Sequence, residues 1–303
     1  MKKDIYESQD FQPMNLTEEE QPFNSSDYIY ELKFDGTRTL IFVEPSKITI
    51  KNRRGIILNN TYPELLKIKN MVRGKCIFDG EIILMIDGKP SFRKLQERAL
   101  LKDKFRINYF KENFPVTFVC YDILYDVKDI TDLPLIKRKR HLDKYENSDI
   151  FVKSGFIPEK GIDLYNAAKR LDLEGIVAKN KNSKYQINKR SSDWVKIKNW
   201  NDEEFYICGF NEQNEGAMAS IILGQLKDEK IHYVGRVTIG KRNHEFKKIK
   251  EQKEVNKNYI EEFLHDDKKY TLIQPKLQCT VEFLEKTKTG KLRQPIYKGL
   301  TIY

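Results

Sequence analysis

The chain is poor in the residues that build covalent or metal scaffolds. Its 303 residues include four cysteines and four histidines. Cys76, Cys120, Cys208 and Cys279 each stand alone inside an apolar run (KCIF, FVCYDIL, YICGF and LQCTVEF), and no Cys-x-x-Cys pair occurs. A lone cysteine in such a run behaves as a small buried hydrophobe, which argues against a disulfide framework. His141, His232, His244 and His265 are scattered, so the spacing of a structural zinc site is missing as well. No apolar run approaches the roughly eighteen residues that mark a transmembrane helix. The opening residues Met1-Lys2-Lys3-Asp4 lead into polar and acidic sequence, unlike a secretory signal. Internal repeats and low-complexity tracts are also absent. The expectation is a soluble, cytoplasmic protein.

What the chain does have is positive charge and aromatics. Fifty-five Lys and Arg against 45 Asp and Glu leave +10, and aromatics make up 12% of the sequence. That aromatic content is too high for a disordered basic tail. The length exceeds what one small domain needs, so two domains with cores of their own are expected. A basic folded protein makes a polyanion the leading partner class; the plainer alternative is a charge that serves solubility alone.

Residues 1 to about 25, with Glu18-Glu19-Glu20, read as a polar arm lying over the first domain. From Tyr28 to Ala178, β-rich runs such as TLIFV, KITIK, CIFDGEIILMI and VTFVCYDILY alternate with helical patterns. The spacing predicts a helix from Ser91 to Leu101, with Phe92, Leu95 and Ala99 on one face, and another from Gly161 to Leu171. Asp87-Gly88 reads as a hairpin turn. Between 180 and 200, Lys181, Lys184, Lys189, Arg190, Lys196 and Lys198 face one acid, Asp193. Such a concentration suggests a phosphate-binding track. The polar segment Asn201-Asp202-Glu203-Glu204 is a plausible hinge. Beyond it, EFYICGF, ASIILGQL, KIHYVGRVTI and LQCTVEFLEK read as strands, interrupted by a charged helical stretch from Glu245 to Leu264. Short strands in such numbers suggest a small barrel of the oligonucleotide-binding type. The boundaries expected are 1–200 and 201–303.

The segment ELKFDGTR at 31–38 carries the chemistry. In a strand that ends in a tight turn, Glu31, Lys33 and Asp35 would share a face, with Arg38 just beyond. A lysine is nucleophilic only when neutral, and at its reference pKa roughly 0.04% is neutral near pH 7. A site that uses it must bring cations, or desolvation, to bear on it. Taken alone, the segment fits a hairpin turn with solvated charges equally well.

Its ordered company decides the matter. After ELKFDGTR come KNRRG at 51–55 with TYPEL at 61–65, FDGEI at 78–82 followed by PSFRKLQER, FVCYDILY at 118–125 followed by LPLIKRKRHL, EGIVAK at 174–179 and WVKIK at 194–198. In these segments and their order the chain resembles the covalent nucleotidyltransferases, most closely the ATP-dependent DNA ligases and, within them, the ligase domain of bacterial ligase D. The resemblance implies an α+β fold: a nucleotidyltransferase domain (ATP-grasp-like, antiparallel sheets with helices) followed by a small OB-fold barrel. It implies that Lys33 attacks the α-phosphorus of ATP and carries AMP. Glu31 would help read the adenine and Tyr121 would stack on it. Arg38 would contact the ribose and later the nick, while Asp35 would orient Lys33 or engage metal indirectly. Glu81 and Glu174 would hold the ribose or a divalent cation, magnesium or manganese. Lys196 and Lys198 alternate on one face of WVKIK and would neutralise the triphosphate. Arg53, or its neighbour Arg54, would grip the 5′-phosphate of nicked DNA, and Arg190 and Lys179 are further phosphate candidates. Arg293, in TGKLRQPIYKGL, would orient pyrophosphate; the resemblance would continue past Leu300 with another arginine, an acid and a lysine, which Thr301-Ile302-Tyr303 do not supply.

The substrates implied are ATP and nicked duplex DNA, handled by a monomer in a bacterial or phage-like cytoplasm at the nucleoid. A role in repair or end joining follows from the same likeness, with a Ku-like end-binding protein left open as a partner. Two other readings compete. One is an RNA ligase or RNA-capping guanylyltransferase of the same superfamily. The other is a non-catalytic nucleic-acid-binding protein.

Overall fold

The computed structural model describes residues 4–212, 217–256, 258–263 and 270–301. It divides into two compact units, 1–199 and 200–303. The first unit contains twelve strands: β1 (Asn15–Glu18), β2 (Ser25–Leu32), β3 (Thr37–Glu44), β4 (Lys47–Asn52), β5 (Cys76–Ile86), β6 (Lys89–Pro90), β7 (Val116–Asp126), β8 (Lys128–Asp129), β9 (Phe151–Lys153), β10 (Ile157–Glu159), β11 (Gly175–Asn180) and β12 (Arg190–Lys198). Its helices are α1 (Ile5–Ser8), α2 (Phe92–Ala99), α3 (Lys104–Asn113), α4 (Leu135–Leu142) and α5 (Gly161–Arg170), with a 3-10 helix at Pro63–Met71.

The strands form two sheets, β1-β12-β11-β2-β10 and β4-β3-β5-β7-β8, with β6 on β5 and β9 on β7. Most pairs are antiparallel; β1 with β12 and β7 with β9 are parallel. Strand alternation sorts the five-stranded sheet into two chemistries. Tyr30, Ile176, Ala178, Val195 and Ile197 point to one face and pack with Ala168 of α5. Register puts Glu31, Val177 and Lys196 in one row of the opposite face. There Ile29, Tyr185 and Trp194 join Leu40, Phe42 and Ile77 of the other sheet in a core between the sheets, capped by Ile5, Tyr6 and Met14 of the N-terminal arm. The second sheet covers its outer face with the larger core around Phe78, Phe118 and Phe151.

Asp87 and Gly88 both have positive φ (50° and 77°) and close the β5–β6 hairpin, as two-residue turns of this kind require. Ser91 caps α2 through the Lys94 amide. On that helix the buried face is Leu95 and Arg98, whereas Ala99 is exposed, contrary to the face expected. Arg98 is drawn inward because Glu64 takes its guanidinium at 2.7 and 2.6 Å while Thr61 and Phe114 offer carbonyls. A bidentate carboxylate makes a buried arginine tolerable where apolar spacing alone would predict alanine. Similarly, Leu171 lies beyond the last turn of α5 and is exposed.

The second unit holds β13 (Asn201–Asn211), β14 (Met218–Lys227), β15 (Lys230–Gly240), β16 (Ile260–Glu261), β17 (Thr271–Leu272), β18 (Gln278–Phe283), β19 (Glu285–Lys286), β20 (Leu292–Arg293), β21 (Ile296–Leu300) and the helix α6 (His244–Lys250). The main sheet runs β16-β15-β14-β13-β18-β21, wrapped on a core that includes Phe205, Ile221, Val237, Phe246, Val281 and Phe283. Two expectations need correction here. Residues 201–204 are not an irregular hinge: they open β13 and pair with β18, from Asn201 opposite Phe283 to Glu204 opposite Thr280. Their alternating exposure shows that a charged strand edge reads as a linker when its partner, some eighty residues away, is out of view. The helical stretch from Glu245 is also shorter, ending at Lys250, and Leu264 lies outside the described residues. All four cysteines are free and buried, as expected. No described helix is long and apolar enough to cross a membrane.

Candidate active site

The site grows from the charged face between the two sheets of the first unit. β2 ends at Leu32, and Lys33 follows in extended backbone, its amide bonded to the Gly175 carbonyl at 2.9 Å. The Lys33 ammonium meets Glu174 at 2.8 Å. Glycine is required at two points around this pair. A Cβ on Gly36 would lie 2.2 Å from the Ile82 carbonyl oxygen, and Gly175 adopts φ +139° with a hypothetical Cβ 2.2 Å from the Ile197 carbonyl. These close approaches let the Lys33 loop and the EGIVAK strand lie flat against their neighbours. Gly36→Ala should therefore displace the loop, lowering the rate of AMP attachment at least about tenfold and stability by about 1–3 kcal/mol; a nucleotide-labelling time course and thermal unfolding check the two effects.

Glu31 and Lys33 do not share the single cluster expected of a strand face, because β2 stops before Lys33. Glu31 instead turns into the inter-sheet core and takes Lys139 at 2.6 Å and Lys179 at 3.0 Å. Burial works against its charge, but the two ammonium groups overcome that and hold the carboxyl below its usual range. Lys179 lies 4.4 Å from the Tyr121 ring centre and 4.3 Å from that of Trp194. Burial pushes its ammonium down to about 8, with Glu31 resisting. A cation between two aromatic faces is favourable in itself, and it fixes the Tyr121 ring. Arg38 is also near that ring, 5.7 Å from its centre.

Arg38 is fixed by Asp79, which takes Nε at 3.2 Å and the terminal nitrogen at 2.8 Å. The Tyr185 hydroxyl donates to the same carboxylate at 2.7 Å. Glu81 follows two residues along β5, opposite Arg38 in register. Burial pushes its carboxyl up to about 8; Lys33 and Arg38 pull it down, while Glu174 and Asp79 add repulsion.

On β12, Lys196 and Lys198 share a face while Val195 and Ile197 are buried behind them, as the alternation predicts. Glu18 of the arm takes both, at 2.8 and 3.4 Å. Glu174 acts electrostatically on Lys198, so one chain of charges runs Lys33, Glu174, Lys198, Glu18, Lys196.

Four further expected contributors have surroundings of their own. Arg190 opens β12, six residues before Lys196, lies opposite Asn15 in register, and donates to the Leu16 carbonyl at 2.8 Å. Arg53 and Arg54 are exposed in the turn after β4, where Arg54 borders a cleft of about 650 Å³ lined by Phe11, Lys51 and Asn188. Arg293 belongs to the second unit, where Glu285 takes it at 3.0 Å. The basic run at 180–200 is likewise not one track. Lys184 pairs with Asp132, Lys181 donates to the Ser26 carbonyl, and Lys196 and Lys198 share Glu18.

Sequence reasoning missed Asp79, Tyr185, Lys139, Trp194 and Glu18 as members of the site. Asp79 had a signal, since it precedes Glu81 by two in FDGEI and so shares its strand face. Lys139 had none, because KRKR reads as a solvated helix face.

Two family models match the chain: "ATP dependent DNA ligase domain" over residues 12–198 and "ATP dependent DNA ligase C terminal region" over 214–301. The SPbeta prophage-derived DNA ligase-like protein LigB of Bacillus subtilis is 30% identical over 293 residues, 95% of this chain and 97% of that protein. The multifunctional non-homologous end joining protein LigD of Mycolicibacterium smegmatis is 28% identical over 96% of this chain, which spans 38% of that longer protein. Among solved structures, a mycobacterial DNA ligase D complexed with ATP and MES superposes with a TM-score of 0.58 at 25% identity, covering 96% of this chain and 95% of that one. The fold of a Lig E DNA ligase is also matched, with a TM-score of 0.66 at 16% identity, over 96% and 99% of the two chains.

Proposed function

The chain belongs to the ATP-dependent DNA ligase family and is an ATP-dependent DNA ligase, and from that premise we propose a course for the reaction residue by residue. The observation that carries it is the Lys33 amine held at Glu174 in a row of charges that ends on Lys196 and Lys198. The Lys33 ammonium first gives up a proton to solvent, and the neutral nitrogen then attacks the α-phosphorus of ATP; the nitrogen–phosphorus bond forms as the bond to the departing pyrophosphate breaks, and the nitrogen sheds a second proton to leave the phosphoramide. Glu174 aims the amine. Tyr121, gripped from behind by Lys179, offers its face to the adenine, and Glu31 sets the charge beneath it. Lys196 and Lys198 neutralise the β- and γ-phosphates. AMP then passes from Lys33 to the 5′-phosphate of a nick bound by Arg53 and Arg54. In the last step the 3′-hydroxyl attacks that phosphate and expels AMP, with Arg38 against the sugar–phosphate. Positioning and charge neutralisation carry transfers of this kind.

Magnesium or manganese fits Glu81 and Glu174. They are close enough to repel, and Glu81's raised carboxyl is relieved by a cation. Among the described residues no group of three His, Cys, Asp or Glu side chains converges. The pair therefore suits a hard cation that completes its shell with substrate phosphates and water. Such an ion, when bound, supplies charge neutralisation at the phosphates.

Labelled ATP supplied to the purified protein should leave AMP on the Lys33 peptide. Pyrophosphate should remove it, and nicked duplex DNA should consume it with sealing. Label retained only from GTP, or no sealing, would refute the scheme. Binding to nicked DNA should weaken steeply with salt, and Arg53→Ala should lower the slope of log affinity against log salt by about one. The likeness to end-joining proteins supports a role in end joining in the bacterial cytoplasm, with a Ku-like end-binding protein as partner; co-sedimentation of the ligase with such a protein on blunt-ended DNA tests it.

A further inference from the structure

No step of the scheme above assigns a task to the carboxylate of the acidic arm, yet its placement is specific. β1 adds to the edge of β12 in parallel, with Asn15 opposite Arg190 and Glu18 opposite Lys196. Its backbone is tied at both ends, by the Asn15 amide to the Lys189 carbonyl (2.8 Å) and by the Glu19 amide to the Lys196 carbonyl (3.1 Å). Met14, fully buried, anchors the approach, and its amide bonds the Tyr185 hydroxyl at 3.1 Å. The ladder shifts between Leu16 and Thr17; opposite that shift β12 runs on from Ser191 to Val195, and past it Glu18 comes level with the lysine pair. Each of its carboxylate oxygens serves a different lysine, Oε2 to Lys196 at 2.8 Å and Oε1 to Lys198 at 3.4 Å. Two oxygens of one anion bridging two ammonium groups is the arrangement that two oxygens of a polyphosphate would make there. Of the three acids in the run, Glu18 is the one that reaches the lysine pair; Glu19 and Glu20 are exposed beyond it.

We propose that Glu18 is a built-in counter-anion for the polyphosphate lysines, bound to Lys196 and Lys198 when no nucleotide is present and displaced when a triphosphate arrives. The inference rests on the reading of those two lysines given above. Glu18 thereby sets how much ATP the first step needs. It lets two like charges stand side by side in the empty site, and it competes with the leaving pyrophosphate for the same donors, which favours product release. Because the arm is fixed by backbone bonds and by Met14, the carboxylate can swing off the lysines while β1 stays in place.

The test is the ATP dependence of AMP attachment in the full chain, read beside inhibition by inorganic tripolyphosphate. Glu18→Gln keeps the side-chain size and removes the charge. The half-saturating ATP concentration should fall roughly 3- to 30-fold, and tripolyphosphate should inhibit at correspondingly lower concentration, the range expected for losing one competing charge-assisted contact at a partly exposed pair. Glu20→Gln removes the same net charge two residues away and should change either value less than about twofold. If Glu18→Gln leaves the ATP requirement unchanged or raises it, or if Glu20→Gln lowers it equally, the proposal is wrong. Lys198→Ala separates the two levels. A raised ATP requirement in that variant, with none of the Glu18→Gln effect, overturns the counter-anion alone, whereas an unchanged requirement in Lys198→Ala overturns the assignment of the lysines as well.

Discussion

Lys33→Ala should abolish AMP attachment, with the first step slowed by at least about 10⁴-fold, the order seen when an enzyme's nucleophile is removed. Nothing nearby can take over. Lys196 and Lys198 are ammonium groups held by Glu18 or, once ATP is bound, by its β- and γ-phosphates, and Lys179 is buried between two rings with Glu31 as its partner. Mass measurement of the protein after exposure to ATP should show no adduct, where the parent chain shows one that pyrophosphate removes. The variant should still seal a nick whose 5′-phosphate already bears AMP, because the final attack by the 3′-hydroxyl needs no protein nucleophile. Lys33→Arg should behave like Lys33→Ala in the first step, since a guanidinium stays protonated and offers no lone pair. Loss of sealing with pre-adenylylated DNA to the same degree as with ATP would show a disrupted site rather than a missing nucleophile. Persistence of an adduct in Lys33→Ala would overturn the assignment of Lys33.

What could be read in the sequence follows a physical division. Strand alternation is local, so WVKIK disclosed its two lysines on one face and two apolar residues behind, and CIFDGEIILMI disclosed a buried strand. The hairpin at Asp87-Gly88 was legible for the same reason. The nucleophile was legible through ordered motifs rather than through its own surroundings. What stayed hidden are pairings across long stretches of chain: Glu31 with Lys139, Glu64 with Arg98, Asp122 with Arg138 and Glu18 with Lys196. The first three turned residues that read as solvated into buried ones, and the last ties an exposed arm carboxylate to a half-buried lysine. Helix α4 shows this best, because its run of basic residues looks like a water-facing stripe, yet Arg138 and Lys139 are both buried. The segment 201–204 misled in the opposite direction, since charges on a paired strand resemble those of a linker. A carboxylate that meets an arginine or lysine reverses the burial preference of both, and no local pattern records it.

Asp79→Ala should produce the largest loss of stability among substitutions around the site, about 3–5 kcal/mol. Asp79 is fully buried, and its carboxylate satisfies three donors: two from Arg38 and the hydroxyl of Tyr185. It stands opposite Asp122 in the β5–β7 register, so two buried carboxylates face the same side of neighbouring strands, where like charges repel. Each is compensated by its own arginine; Asp122 takes Arg138 at 3.0 and 2.8 Å. Removing Asp79 leaves a largely buried guanidinium and a buried hydroxyl without their acceptor, which costs more than the pair contributes when intact. Asp79→Asn should cost less, because the amide oxygen still accepts from Tyr185. Trp194, buried against Tyr185 and Tyr121, supplies the readout: its fluorescence in a urea titration follows the unfolding of this unit. The double variant Arg38→Met/Asp79→Leu removes both charges together and should recover most of the stability lost in Asp79→Ala, while sealing stays lost because Arg38 is gone. If Asp79→Ala unfolds at the parent urea midpoint, the buried fork does not stabilise the fold. If the double variant is as unstable as the single one, the cost comes from lost packing and not from an orphaned charge.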